Sequence, residues 1–176
     1  MLNTAIPSEV KERQLEEWIS EYSSVVLKLC FVYLADTELA KDAMQDTFVK
    51  VWRSMEQFQS RHELSAKAWI MKIAVNICRD YKRTAWFRHV DMRKSIDELP
   101  EPMAPATETS RELFMDVMNL PAKYKQVIFL HHFQNLNQSE TAQALGISRT
   151  SVSKRLKKAY ELLRNEPERR GNNESS

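Results

Sequence analysis

Apolar residues recur at helical spacing in three long segments of the first half of the chain. In the first segment, 15–34, they surround so much of the helix that it fits the inside of a bundle. The second segment, 37–55, and the third, 66–83, each have one apolar and one polar side. Asp36 or Thr37 is a suitable N-cap for the second helix. The pattern therefore predicts three packed α-helices.

The second helix has a mixed face beside its apolar stripe. Met44, Phe48, Val51 and Met55 recur at i, i+4, i+7 and i+11 and predict the stripe that faces the core. The neighbouring face combines acids with apolar side chains, which is typical of a protein-docking surface. Its members are Asp42, Gln45, Asp46, Val49 and Trp52. Periodicity alone is equally compatible with a Trp52 that closes the core.

The third helix separates an apolar side from a cationic side. At about 100° per residue, the apolar side consists of Ile70, Ile73, Ala74, Ile77 and Tyr81. The opposite side consists of Lys72, Asn76, Arg79 and Arg83. Lys and Arg neutralise phosphates, and an Asn side chain hydrogen-bonds a base edge. A charged face is also what an ordinary surface helix shows, so the helix alone leaves both interpretations open.

A polar stretch, 56–65, interrupts the helical pattern before the third helix and predicts a loop. Ser65 at its end is a suitable N-cap for the helix that follows. A polar loop at the N-terminus of a cationic helix is well placed to hold an unstacked base or a phosphate.

The second half of the chain begins with a proline-rich, acidic stretch that predicts an extended linker. Helical patterns return near Ser110, a possible N-cap, and are interrupted at Pro121. Another helix is predicted over 122–133. Two helical units of different size therefore flank the linker, each large enough to form a small core of its own.

The clearest local motif lies in residues 137–163. Asn137 and Glu140 predict a capping box, Gly146 predicts a turn with positive φ, and Ser148 predicts a new N-cap. In the helix that follows, the apolar side consists of Val152, Leu156, Ala159 and Leu163. The outward side consists of Thr150, Ser153, Lys154, Lys157 and Lys158. This arrangement predicts a helix-turn-helix with a basic recognition helix.

These patterns define an all-α protein with two small helical domains joined by a flexible linker. We expect a flexible N-terminus over 1–14, a first domain over 15–85, a linker over 86–110, a helix-turn-helix domain over 111–165 and a disordered tail over 166–176. The scarcity of glycine, with two residues in all, agrees with helices.

The distribution of charge points to nucleic acid. The whole chain carries a formal charge of only +2, yet residues 66–94 carry +6 and residues 146–164 carry +5. The remaining residues therefore carry −9 together. Two basic segments in an otherwise acidic chain indicate two contacts with one polyanion.

Enzyme chemistry and membrane insertion are not indicated. The four histidines match no metal-ligand spacing, and no catalytic motif or cofactor site is present. Cys30 and Cys78 lie in helical patterns and are expected to be buried, reduced thiols. No secretion signal and no apolar run long enough to span a bilayer is found, so we expect a cytoplasmic protein.

Three stretches together resemble the bacterial RNA polymerase sigma factors of the extracytoplasmic-function type, in the sigma-70 family. They are DAMQDTFVKVW at 42–52, AWIMKIAVNICRDYKR at 68–83 and NQSETAQALGISRTSVSKRLKKAYELL at 137–163. The resemblance covers residues 15–165. It implies a region 2 domain and a region 4 domain, which bind core RNA polymerase and the promoter and direct DNA melting and transcription initiation.

The resemblance also implies three sets of site residues. The set that binds core polymerase is Asp42, Gln45, Asp46, Phe48, Val49 and Trp52. The set that binds the −10 element as a single strand is Arg61, His62, Trp69, Lys72, Asn76, Arg79 and Arg83. The set that binds the −35 duplex is Arg149, Thr150, Ser153, Lys154, Lys157 and Lys158. Ser153 departs from the basic residue that relatives often carry, so the promoter sequence cannot be copied from them.

Two further expectations follow. An anti-sigma factor is expected as a partner, because the chain has two small domains, a long linker and no sensor domain. The alternative function is a conventional helix-turn-helix regulator that binds duplex DNA on its own. That alternative explains the second domain equally well but assigns no role to the Asp42–Trp52 face or to Asn76.

Overall fold

Helices form all the regular structure in the part of the chain that the computed structural model describes, which is residues 5–61, 63–84 and 107–173. The helices fall into two units, so the predicted all-α, two-domain fold is confirmed. The first unit contains α1 (Ser8–Leu34), α2 (Thr37–Arg61) and α3 (Ala66–Thr84). Each of these three helices packs against the other two.

A short corner joins α1 to α2. Ala35 adopts a left-handed conformation with φ 52°, and its N–H donates to the Phe31 carbonyl. Asp36 is the N-cap of α2, because its Oδ1 accepts from the Leu39 N–H at 2.8 Å. The first helix begins at Ser8. Residues 8–14, which we expected to belong to a flexible N-terminus over 1–14, are therefore helical.

The second helix continues to Arg61, so the predicted loop over 56–65 is wrong for its first six residues. The reason is Phe58, which lies three residues after the buried Met55 and extends the apolar stripe. Its ring stacks on Trp69 of α3, with centroids 4.4 Å apart. Met44, placed in the core by periodicity, is only half-buried, while Ala43 and Thr47 are fully covered.

Ser65 caps α3 as predicted, and its Oγ accepts from the Ala68 N–H at 3.2 Å. The buried face is wider than predicted and centred differently, because α3 packs on both neighbouring helices. It consists of Ala68, Ile70, Met71, Ala74, Val75 and Cys78. Ile73, Ile77 and Tyr81, which the periodicity placed in the core, are half-buried.

The second unit contains α4 (Glu108–Asn119), α5 (Ala122–Ile128), α6 (Gln138–Leu145) and α7 (Arg149–Asn173). Thr107, rather than Ser110, caps α4 by accepting from the Ser110 N–H at 3.1 Å. The segment Phe129–Phe133 is a π turn rather than the predicted continuation of α5. The Gln134 N–H reaches back five residues to the Phe129 carbonyl at 3.0 Å. His131 Nδ1 closes the turn by donating to the Leu136 carbonyl at 2.7 Å.

The helix-turn-helix is confirmed in detail. Asn137 and Glu140 exchange side-chain and backbone hydrogen bonds of 2.8 and 3.0 Å, which is the predicted capping box. Gly146 has φ 67°, and Ser148 accepts from the Ser151 N–H at 3.1 Å. The last helix runs to Asn173, so the expected disordered tail over 166–176 is wrong as far as that residue.

Candidate protein-binding and nucleic-acid-binding surfaces

The mixed face of α2 is open to solvent over its first half. Asp42, Gln45 and Asp46 are exposed, and Val49 keeps 47% of its surface accessible. Phe48 is 7% exposed and belongs to the core. The sequence prediction of Phe48 as a contact residue is therefore corrected, because its position in the apolar stripe turns the ring inward. The Phe48 ring packs beneath the exposed face of α2.

Trp52 is held at the edge of this face by a residue that sequence reasoning missed. The Lys11 ammonium of α1 lies 4.3 Å from the centroid of the Trp52 ring, which is a cation–π distance. Glu56 fixes the same ammonium at 3.6 Å, and the Lys11 side chain is only 14% exposed. Trp52 itself is half-buried. It therefore neither closes the core nor stands fully free.

A hydrogen bond joins this face of α2 to the end of α3. The Tyr81 hydroxyl donates to Asp46 Oδ2 at 2.5 Å, across 35 positions of sequence. Burial and the bond to Asp46 raise the pKa of Tyr81 well above its ordinary value. The hydroxyl is a donor at neutral pH, and its raised pKa extends that state to more alkaline pH.

The cationic side of α3 is present as predicted. Lys72, Asn76 and Arg83 are exposed, and Arg79 is half-buried. Arg83 forms an ion pair with Asp80 one turn earlier. The exposed Lys82 adds a further positive charge to the same end of the helix. This surface has the charge and the amide that contact with a nucleic-acid strand requires.

A cavity of about 180 Å³ opens beside this cationic side, between α2 and the start of α3. Four predicted −10 residues line it: Arg61, Trp69, Lys72 and Asn76. The other lining residues, which sequence reasoning did not select, are Ser54, Gln57, Phe58, Glu63, Leu64 and Ile73. Two of them, Gln57 and Phe58, lie in the unpredicted extension of α2. His62, also predicted to contact the −10 element, lies outside the described residues.

Three aromatic rings form a cluster beside the cavity, and two of them, Phe58 and Trp69, line it. Trp69 stacks on Phe58, and the edge of Trp18 meets both rings at centroid distances of 5.9 and 5.7 Å. Trp18 is buried, whereas Phe58 and Trp69 are half-buried. The cluster therefore connects all three helices of the first unit and still leaves aromatic surface accessible in the cavity.

The recognition helix α7 presents the predicted polar side. Its apolar side chains Val152, Leu156 and Ala159 are buried. All six predicted −35 residues are exposed: Arg149, Thr150, Ser153, Lys154, Lys157 and Lys158. Lys158 also contacts Glu161 at 3.5 Å. The structure thus brings a polar, basic surface onto a helix that its partner helix α6 supports from behind.

The remaining candidate chemistry is structural. Cys30 and Cys78 are buried free thiols, as expected. A hydrogen bond with Cys78 and burial raise the pKa of the Cys30 thiol well above its usual value. Within residues 5–61, 63–84 and 107–165, no group of acidic, histidine or cysteine side chains has the arrangement of a metal site. None of the described helices is both long and apolar enough to cross a bilayer.

Comparison with known protein families agrees with these surfaces. The family model for sigma-70 region 2 matches residues 18–88, and the model for sigma-70 region 4 matches residues 117–163. Together the two matches cover about two thirds of the 176 residues. The chain therefore belongs to the sigma-70 family of RNA polymerase sigma factors. Its relatives place it among the extracytoplasmic-function sigma factors.

Three characterised relatives illustrate the similarity. The sigma-E factor of Streptomyces coelicolor is 29% identical over 158 residues, which cover 87% of this chain and 85% of that protein. The sigma factor YlaC of Bacillus subtilis is 29% identical and covers 86% and 91%. The extracytoplasmic-function sigma factor SigW of the same organism is 26% identical and covers 81% and 83%.

Solved structures share the fold. A structure of RpoE with the anti-sigma factor NepR from Bartonella quintana has a TM-score of 0.69 and 15% identity, covering 87% of this chain and 96% of that one. A structure of CnrH with the cytosolic domain of CnrY has a TM-score of 0.65 and 20% identity, covering 89% of both chains.

The chain is thus an alternative sigma factor, which directs promoter recognition, DNA melting and transcription initiation. This confirms the function and the absence of enzyme activity that the sequence predicted, because sigma factors initiate transcription without catalysing a reaction themselves. The alternative, a conventional helix-turn-helix regulator, is not favoured, since it leaves the region 2 match unexplained.

Proposed function

We propose that the exposed face of α2 binds core RNA polymerase. The contact residues are Asp42, Gln45, Asp46, Val49 and Trp52. The exposed acids provide electrostatic selection of a basic partner, and the accessible Val and half-buried Trp provide apolar area, with Trp a residue type that is enriched in binding hot spots. Phe48 supports this face from the core and makes no contact of its own.

The cavity and the cationic side of α3 bind the −10 element as a single strand. The observation that carries this assignment is the position of the cavity, whose wall includes Lys72 and Asn76 of the cationic side. A cavity of about 180 Å³ has room for one unstacked base. Holding that base would offset the few kcal/mol that unpairing costs. Arg79 and Arg83 follow the phosphates of the same strand.

The α7 surface binds the −35 element as a duplex. Its base contacts come from the N-terminal part of the helix, where Arg149, Thr150 and Ser153 lie, because recognition helices enter the major groove in this orientation. Lys154, Lys157 and Lys158 supply the basic charge that favours a polyanion. Since Ser153 replaces a basic residue, the lysines carry a larger share of the binding.

Run-off transcription on a genomic fragment library, with purified core polymerase, tests the assignment of the −10 surface. The protein is expected to add discrete start sites, and Asn76→Ala combined with Arg79→Ala is expected to remove them. Arg13→Ala, which changes an exposed arginine of α1 outside the three surfaces, is the control and should retain every start site. Transcripts that persist in the Asn76/Arg79 variant would contradict the assignment of the −10 surface.

An anti-sigma factor is the second partner that we propose, and we propose the cytoplasm as the location of this sigma factor. The support is that the solved structures of similar fold contain RpoE bound to NepR and CnrH bound to a domain of CnrY. Such a partner would cover the polymerase-binding face. Purification from the host at native expression level tests this, and recovery of the protein only alone or with polymerase would contradict it.

A further inference from the structure

The last turn of α3 is attached to α2 through Tyr81. The buried side chains of α3 end at Cys78, six residues before the helix itself ends at Thr84. Beyond that residue, the half-buried Tyr81 reaches across to Asp46 with a bond of 2.5 Å. The turn that this bond holds also carries Arg79 and Arg83. Tyr81 thus adds a side-chain contact between α3 and α2 beyond the fully buried residues of α3.

The acceptor of the bond lies on the face that we assign to core polymerase. Asp46 is exposed, and its neighbours along that face of α2 are Asp42 and Val49. An ionised carboxylate has two oxygens with about four acceptor sites. The bond from Tyr81 uses Oδ2, so Oδ1 remains able to accept a second, cationic donor. The Asp46 carboxylate can thus accept from Tyr81 of α3 and from a cationic group of a partner at the same time.

We propose that Tyr81 is a positioning residue, which holds Asp46 in the orientation that accepts a cationic side chain of core RNA polymerase. This proposal rests on the proposed polymerase-binding role of the α2 face. Tyr81 itself contacts neither the polymerase nor the base. An exposed carboxylate that is already oriented loses less side-chain freedom on binding, so the bond raises affinity without adding a contact.

The same bond ties polymerase binding to the DNA-binding helix. Coupling between two sites is reciprocal. If the Tyr81 bond increases the affinity for polymerase, then polymerase binding stabilises that bond by the same free energy. A polymerase cation at Oδ1 keeps the carboxylate oriented and thereby keeps the Tyr81 bond. The turn bearing Arg79 and Arg83 is then held in place when promoter DNA arrives.

Equilibrium binding to core polymerase without promoter DNA tests the proposal, because contacts between α3 and DNA cannot contribute. Tyr81→Phe removes the hydroxyl and keeps the ring, and it is expected to weaken binding by about three- to tenfold. Tyr22→Phe is the matched control, because Tyr22 is a half-buried tyrosine on another helix, α1. That variant should bind as tightly as the unmodified protein, and thermal unfolding checks that both remain folded.

A double-mutant cycle separates a positioning role from a general structural one. If Tyr81 acts through Asp46, Tyr81→Phe should add no further loss of affinity in an Asp46→Ala background. Additive losses would overturn the proposal, since Tyr81 would then act by another route. Asp46→Asn keeps an acceptor for Tyr81 but lacks the charge, and it should bind as weakly as Asp46→Ala.

Failure of the inference can be told apart from failure of the proposed function. If Asp46→Ala weakens binding and Tyr81→Phe does not, the assignment of the α2 face to core polymerase is retained and the positioning role of Tyr81 is wrong. If Asp46→Ala leaves binding unchanged, Asp46 is not a docking residue, and the positioning role is wrong with it.

Discussion

Phe58 of α2 stacks on Trp69 of α3 with ring centroids 4.4 Å apart. The pair closes one side of the cavity beside the cationic helix and lies next to the buried Trp18. The stacking explains why α2 continues past Met55, and it gives the proposed base-binding cavity an aromatic wall. The structure of the cavity thus depends on a pair of residues from different helices.

Phe58→Ala is therefore expected to lower the free energy of unfolding by about 2 kcal/mol, because it removes a half-buried ring and the contacts of that ring with its aromatic neighbours. Denaturant titration of the purified protein measures this. Promoter melting, followed with a fluorescent base in the −10 element, should fall more than the binding of a −35 duplex, which involves the other unit. Equal losses in both assays would contradict a local role for Phe58.

Lys11→Met keeps an unbranched apolar side chain over Trp52 but removes the charge. The loss of the cation–π contact and of the Glu56 ion pair is expected to lower the free energy of unfolding by about 0.5–1 kcal/mol. Lys50→Met, on an exposed position of α2, is the control and should stay within about 0.5 kcal/mol of the unmodified protein. If the two variants are equally stable, Lys11 does not hold Trp52.

Asn137→Ala removes the capping box of the helix-turn-helix and is expected to destabilise the second unit by about 1 kcal/mol. Binding of a −35 duplex should weaken with rising temperature, because α6 then fails to support α7. Asn119→Ala, which changes an exposed residue at the end of α4, is the matched variant. The prediction fails if both substitutions have the same effect on thermal unfolding.

The salt dependence of promoter binding measures the phosphate contacts of α7. Each lysine that neutralises one phosphate contributes a slope of about −0.9 in log affinity against log salt concentration. Lys154→Ala and Lys157→Ala should each reduce the slope by about one and weaken binding to different duplexes nearly equally. A variant that instead relaxes specificity at one base pair would identify its lysine as a base contact.

The thiol of Cys30 is expected to resist alkylation in the folded protein. It is buried, and its raised pKa keeps it protonated where an unfolded thiol begins to ionise near pH 9. Iodoacetamide at pH 8.5 should therefore label Cys30 only after denaturation. Because the unfolded chain loses this proton first, the free energy of unfolding should fall as the pH rises above 9. Rapid labelling of the folded protein would show that the thiol is accessible.

Local sequence patterns were sufficient where the cause of the structure is itself local. The capping box of Asn137 and Glu140, the left-handed Gly146 and the cap at Ser65 all depend on neighbours within four residues. The exposed side of α7 follows from helical period alone. The exposure of all six predicted −35 residues follows from the same helical period.

Contacts between helices were not accessible to the same reasoning. Phe58 extends α2 because it meets Trp69, and Lys11 covers Trp52 from another helix. Tyr81 was placed on the apolar side of α3, whereas its hydroxyl bonds Asp46. Each case requires two segments to be near in space, and periodicity carries no information about such a pairing.

The α2 helix runs without a break through both proposed contact regions of the first unit. The helix spans 25 residues, roughly 37 Å at about 1.5 Å per residue. The polymerase-binding face lies on its first half, and Phe58 and Arg61 of the cavity lie near its other end. One continuous helix therefore carries residues of both the proposed polymerase-binding face and the proposed base-binding cavity.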